Sequence, residues 1–134
     1  MTVPVSHRVA PPLPLSRILI AAIFIGAGIL HLVRPGSFVT MVPPWLPAPL
    51  LLVVVSGVCE MLGGIGVLVP ATRVAAGWGL IALLVAVLPA NVQMLIAARA
   101  AGASRGWQAA LLIRLPLQLV LMWWVHRAAV RRPA

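Results

Sequence analysis

Four stretches of this chain are each long and apolar enough to cross a lipid bilayer, and nothing else in the sequence constrains the fold as strongly. A helix rises about 1.5 Å per residue, so about 20 mostly apolar residues cover the roughly 30 Å hydrocarbon core. The runs lie at about 15–33, closed by Arg34-Pro35-Gly36; 48–69, closed by Pro70; 73–98, before Arg99; and 107–126. Lipid supplies no hydrogen-bond partner for an open strand edge, so the spanning elements must be helices. The expected fold class is all-α: a polytopic membrane protein built as a four-transmembrane-helix bundle. Composition agrees, because 63% of the 134 residues are hydrophobic and 8% are charged, against roughly 25% charged in soluble domains. Too little polar surface remains for a cytosolic globular enzyme, and too much apolar surface for a disordered tail.

The organisation follows from these spans. Residues 1–14, with Pro4, Pro11, Pro12 and Pro14, read as a mobile, proline-rich N-terminal tail; 15–126 as the membrane domain; and 127–134 as a basic cytoplasmic tail. A cleavable signal over 1–33 is the rival reading of the N-terminus, opposed by an apolar run longer than a signal core of roughly 7–15 residues. The formal charge of +9 comes from ten arginines against the single acid Glu60. These arginines punctuate apolar runs and form no basic stripe with interleaved aromatics, so nucleic acid is not an expected partner. Membrane lipids are, and a membrane-protein partner or a second copy of the chain stays open. Four spans put both termini on one side, with Arg8, Arg17, Arg73, Arg127, Arg131 and Arg132; Arg34, Arg99 and Arg105 fall on the other. The positive-inside rule then predicts both termini in the cytoplasm. Trp45 and Trp107 mark the outer interface, and Trp78, Trp123 and Trp124 the inner one, as amphipathic indoles do.

Polar residues inside the spans carry the functional signal, because each needs a partner or a wet cavity. His31 lies near the outer end of the first span, Glu60 at mid-depth in the second, Asn91 and Gln93 in the outer third of the third, and Arg114 and Gln118 in the outer half of the fourth. All four helices thus bring polar groups to the outer half, while the inner halves are almost purely apolar. As the only carboxylate, Glu60 is expected to contact Arg114, His31 or both. Ser56, Glu60, Gly63, Gly64 and Val67 suggest a small-residue face on the second helix, matched by Ala27 and Gly28 on the first. Ala82, Ala86, Ala90 and Ala97 suggest the packing strip of the third, with Asn91 and Gln93 on opposite rims so that only one faces the bundle. Pro89 and Pro116 lie inside spans and favour bends at similar depth. Cys59 is alone, which excludes an intramolecular disulfide, a paired-thiol redox motif and a cysteine zinc site; no metal is expected. The segment Phe38–Pro47 is too short and proline-rich to span, and should lie along the outer interface with one helical turn around Phe38 to Val42.

Several motifs resemble the DoxX-like family of small four-helix membrane proteins. They are Gly28-Ile29-Leu30-His31; Pro35-Gly36-Ser37-Phe38; Val42-Pro43-Pro44-Trp45-Leu46-Pro47; Ser56-Gly57-Val58-Cys59-Glu60-Met61-Leu62-Gly63-Gly64; Leu88-Pro89-Ala90-Asn91-Val92-Gln93-Met94; and Arg114-Leu115-Pro116-Leu117-Gln118. The resemblance covers nearly all of the chain after the tail. It implies a four-helix fold in the inner (plasma) membrane of a bacterium and a link to quinone-dependent oxidation, although some relatives look like assembly factors. Relatives that use paired thiols find no counterpart here.

Three functions follow from these residues. The first is a redox-accessory protein binding a quinone or similar small amphipathic molecule through His31, Glu60, Asn91, Arg114 and Gln118. The second is a membrane scaffold or assembly factor whose Gly/Ala faces pack against a partner. The third is a small enzyme performing proton transfer on a hydrophobic substrate, which requires Glu60 to be unpaired from Arg114. No cofactor is specified by the residues themselves, and quinone enters only through the resemblance.

Overall fold

Each helix begins and ends where the sequence withdraws or supplies backbone hydrogen bonds. In the computed structural model, which describes residues 14–131, α1 (Leu15–Val33) starts after Pro14, whose carbonyl accepts from the amides of Arg17 and Ile18 at 2.9 and 3.4 Å. Arg34 leaves helical geometry (φ −131°), and Pro35 opens a single-turn helix, α2 (Pro35–Val39); its missing N–H costs nothing at that position. The helical turn expected around 38–42 therefore lies a few residues earlier, drawn there by Pro35. Proline also opens α3 (Pro49–Gly66), after Ala48 at φ 49°. The α3 terminus comes three residues before the expected boundary. There the Thr72 hydroxyl donates to the Gly66 carbonyl at 2.9 Å and supplies one of the partners that a helix end lacks.

The longest element, α4 (Arg73–Ala100), runs through Pro89 without a break. Its 28 residues correspond to about 42 Å of axial rise, more than one hydrocarbon thickness, so it must tilt or protrude. It ends in a glycine cap: Gly102 adopts φ 63°, while Ala103 N–H and Gly102 N–H donate to the carbonyls of Ala98 and Arg99 at 2.9 and 3.1 Å. Those two bonds form a Schellman pair, which needs a left-handed residue at the turn. Ser104 then caps α5 (Arg105–Val125), its hydroxyl accepting from Trp107 N–H at 3.3 Å. The helical path carries on as a π-turn, His126–Val130, beyond the expected limit of the last span.

Four helices are thus long and apolar enough to cross a membrane, and the fold is all-α. They pack as an arc in which α3 touches both α1 and α4, and α4 touches α5. The arc closes where α1 meets the π-turn; α1 and α5 themselves make no substantial contact. Two apolar clusters follow this geometry. Ile20, Ala21, Phe24, Val67, Leu80, Leu84, Val125 and Ala129 unite all four helices at the end bearing the termini. At the opposite end, Leu95, Ala98 and Leu111 join only α4 and α5. A seam is left between α1 and α5 in that half.

Helix approach in lipid relies on small residues, and the glycines show where. A Cβ on Gly28 would stand 2.5 Å from the Gly57 carbonyl oxygen, and one on Gly64 would stand 3.1 Å from the Ala21 carbonyl oxygen. The face of α3 that meets α1 is therefore Val53, Gly57, Glu60 and Gly64. Gly63 belongs to the other side, where an added Cβ would strike Leu80 of α4. The predicted alanine strip on α4 is not its packing face, because Ala82, Ala86 and Ala97 are exposed. Gly77, Leu80, Leu84, Leu95 and Ala98 are buried instead. Interior contact in lipid selects for fit, and a small residue serves equally well facing an acyl chain.

Indoles stand at both ends. Trp78 meets His126 edge-on with centroids 5.6 Å apart, and the Arg127 guanidinium lies 5.5 Å from the centre of the Trp123 ring. Trp45 and Trp107, at the opposite end, are exposed. Residues 1–13 and 132–134, with Arg8, Arg132 and most of the proline-rich tail, lie outside the described residues.

Candidate functional site

Histidine 31 occupies the last turn of α1, where three groups fix its ring. Its Nδ1 lies 2.8 Å from the Ala27 carbonyl oxygen and 3.1 Å from Glu60 Oε2. A nitrogen between two oxygens must carry a hydrogen, so Nδ1 is the protonated position of this imidazole. The face of the ring is covered by Phe38, stacked at 3.9 Å between centroids and 24° between planes. The Pro35-led turn of α2 places that phenyl by folding the chain back over the end of α1. Gly57 completes the arrangement: a Cβ there would approach His31 Cβ to 2.8 Å, so only glycine lets α3 carry Glu60 up to the ring. Neither Phe38 nor Gly57 stood out as a site residue in the sequence. Their signals were the Pro35-Gly36 reversal after His31, and a glycine three residues before Glu60.

Glu60 is 9% exposed overall. Its Oε2 is sealed from solvent and has no well-aligned donor, since the Nδ1 hydrogen is shared with Ala27. The close ionic distance to His31 compensates it in part. One turn away, the Ser56 hydroxyl is also buried without a partner among the described residues. The expectation that Glu60 contacts His31 or Arg114 resolves in favour of His31.

A second polar pair joins α4 to α5. Asn91 Nδ2 donates to Gln118 Oε1 at 2.8 Å, and the Gln118 amide donates onward to the Leu84 carbonyl. Gln118 is buried, and both its amide atoms are committed. The ladder below Pro89 has lost a backbone donor at the neighbouring Val85 carbonyl, so the α5 side chain inserts where the α4 backbone is least self-sufficient. Of the two rim residues on α4, Asn91 faces the bundle. Gln93 lines a shallow groove beside Pro43, Trp45 and Pro89.

Arg114 belongs to neither pair. Its side chain is exposed and makes no ion pair among the described residues. Four of the five predicted residues thus form two pairs, His31–Glu60 and Asn91–Gln118, and Arg114 joins neither. They do not line a single enclosed chamber. A groove of about 520 Å³ lies on the lipid-facing side between α3 and α4, bordered by Cys59, Leu62, Gly63, Gly79, Ala82 and Ala86. Cys59 is exposed there as a free thiol.

Four apolar spans with polar pairs buried between them define a small helical integral membrane protein. Within that class, the chain belongs to the family described as a domain of unknown function (DUF8561), whose model matches residues 20–129. That match takes in α3, α4, α5, most of α1 and every residue of both polar pairs. The DoxX-like assignment suggested by the motifs is not part of it. No curated protein and no solved structure matches this chain.

Proposed function

We propose that this protein binds a small amphipathic molecule that reaches it sideways from the lipid, through the seam between α1 and α5, in the half of the membrane away from the termini. The carrying observation is that α1 and α5 make no substantial contact with each other, although the π-turn that follows α5 meets α1. The seam offers apolar walls with a few placed polar groups, the usual make-up of a small-molecule site. His31 and Arg114 orient the ligand, Glu60 and Phe38 hold the imidazole, and the Asn91–Gln118 pair stiffens the opposite wall. A quinone is the leading ligand and a redox-accessory role the leading context, both resting on the DoxX-like resemblance of the motifs. The termini then face the cytoplasm of a bacterial cell, with the seam in the outer leaflet. Binding of a quinone analogue to detergent-solubilised protein should weaken on Glu60→Gln or Arg114→Met while helicity is retained. No binding by the parent protein across several quinones would favour the scaffold instead.

The scaffold reading has its own support. The α3–α4 groove is apolar, lies on the lipid-facing side and is lined by small residues, and the Asn91–Gln118 pair is satisfied internally. Proton-transfer catalysis meets the requirement that Glu60 be unpaired from Arg114, but the carboxylate is then held by His31.

A further inference from the structure

Arg114 is a charge within a membrane span that has no anionic partner among the described residues. It lies nine residues into α5, about 14 Å along the helix, so its guanidinium is not simply an interfacial group. Leu111 and Gln118, three residues before and four after it, are both buried. On a helix those positions share a face, so Arg114 leaves α5 from its inward side. Arg114 is nonetheless exposed, and α1 is a helix with which α5 makes no substantial contact, so the α1–α5 seam is the opening available to it.

No acid in the chain is free to answer it. The sequence holds one carboxylate side chain, Glu60, and it is engaged with the His31 imidazole at 3.1 Å. The same end of the molecule adds Arg34, Arg99 and Arg105 without an acid among them, giving a field that favours anions. A planar guanidinium with paired N–H donors matches carboxylate and phosphate oxygens in a way that no single carbonyl does.

We propose that Arg114 binds the anionic oxygen head group, carboxylate or phosphate, of a single-tailed amphipath whose tail lies in the α1–α5 seam. This rests on the reading of the seam as a ligand site and adds the charge of the ligand to it. His31 borders the head group and Phe38 the start of the tail.

The test is equilibrium binding of oleate, methyl oleate and lysophosphatidic acid to the full chain in detergent micelles at pH 8.5, with helicity checked for each variant. Oleate should bind about tenfold more tightly than its neutral ester. Arg114→Gln should remove that tenfold preference and leave ester binding unchanged, and Arg114→Lys should retain most of it. Arg34→Gln, which removes only a more distant part of the field, should lower the preference less than twofold. Lysophosphatidic acid displacing oleate would identify phosphate as an equal head group; oleate alone binding would narrow the ligand to a carboxylate. Equal binding of oleate and methyl oleate, indifferent to Arg114→Gln, would overturn the anionic head group and leave the seam reading intact. Binding of neither would overturn both.

Discussion

Histidine 31 and Glu60 depend on each other more than on the rest of the fold. Removing one partner of a buried ionic pair costs about 3 kcal/mol or more, because the other charge stays behind without water, whereas replacing both by apolar groups of similar volume is often neutral. His31→Phe and Glu60→Leu should therefore each lower the thermal midpoint in detergent clearly, and the double variant should recover most of the loss. Additive losses in that cycle would show that the two side chains do not act as a pair. Much of this was legible in the sequence: a chain with one carboxylate offers few partners for an intramembrane histidine. The choice of His31 over Arg114 was not legible. It depends on Gly57, whose missing side chain sets the distance between two backbones, and on the rotation of α5, which turns Arg114 toward open space.

The helices themselves were readable because hydropathy and length decide them, and their faces were not. In a soluble protein the apolar stripe reveals the buried side; in lipid both sides are apolar and the stripe disappears. Ala82 and Ala86 read as packing residues and are exposed, while Gly57, which did not read as one, lies at a close α1–α3 approach. Substitutions should separate these roles. Gly28→Ala places a methyl group 2.5 Å from the Gly57 carbonyl oxygen, and Gly57→Ala meets both the His31 Cβ and the Gly28 carbonyl oxygen. Each should destabilise by about 2 kcal/mol, as overpacking does. Gly26, two residues from Gly28 on the same helix, has nothing within 4 Å of an added Cβ. Gly26→Ala should be neutral or stabilising by up to about 1 kcal/mol, since alanine restricts the unfolded backbone. Unfolding midpoints of the three variants compare the two sites directly.

At the scale of the whole molecule, four spans bring the start of α1 and the π-turn to one end, where the Ile20–Ala129 cluster joins them. Among the described residues that end carries Arg17, Arg73, Arg127 and Arg131, together with the Trp78–His126 and Trp123–Arg127 contacts. The other end carries Arg34, Arg99 and Arg105 with exposed Trp45 and Trp107. By the positive-inside rule, the arginine bias of the full sequence predicts that the termini face the cytoplasm. Reporter fusions at Ala134 and Gly102 should accordingly label opposite sides, with the Ala134 reporter cytoplasmic; labelling of both on one side would refute the four-span topology.

The seam between α1 and α5 is never empty in a membrane, because acyl chains fill whatever the helices leave. A ligand bound there as proposed would replace one hydrocarbon tail with another, and since lipid interiors are about as apolar as leucine, the hydrophobic effect would contribute little to the exchange. What remains to discriminate between occupants is the head group and the shape of the first few carbons. Affinity at such a site is a partition ratio against the surrounding bilayer, set by mole fraction in the lipid phase. Occupancy in the cell would then follow changes in membrane composition, even at a constant aqueous concentration of the ligand.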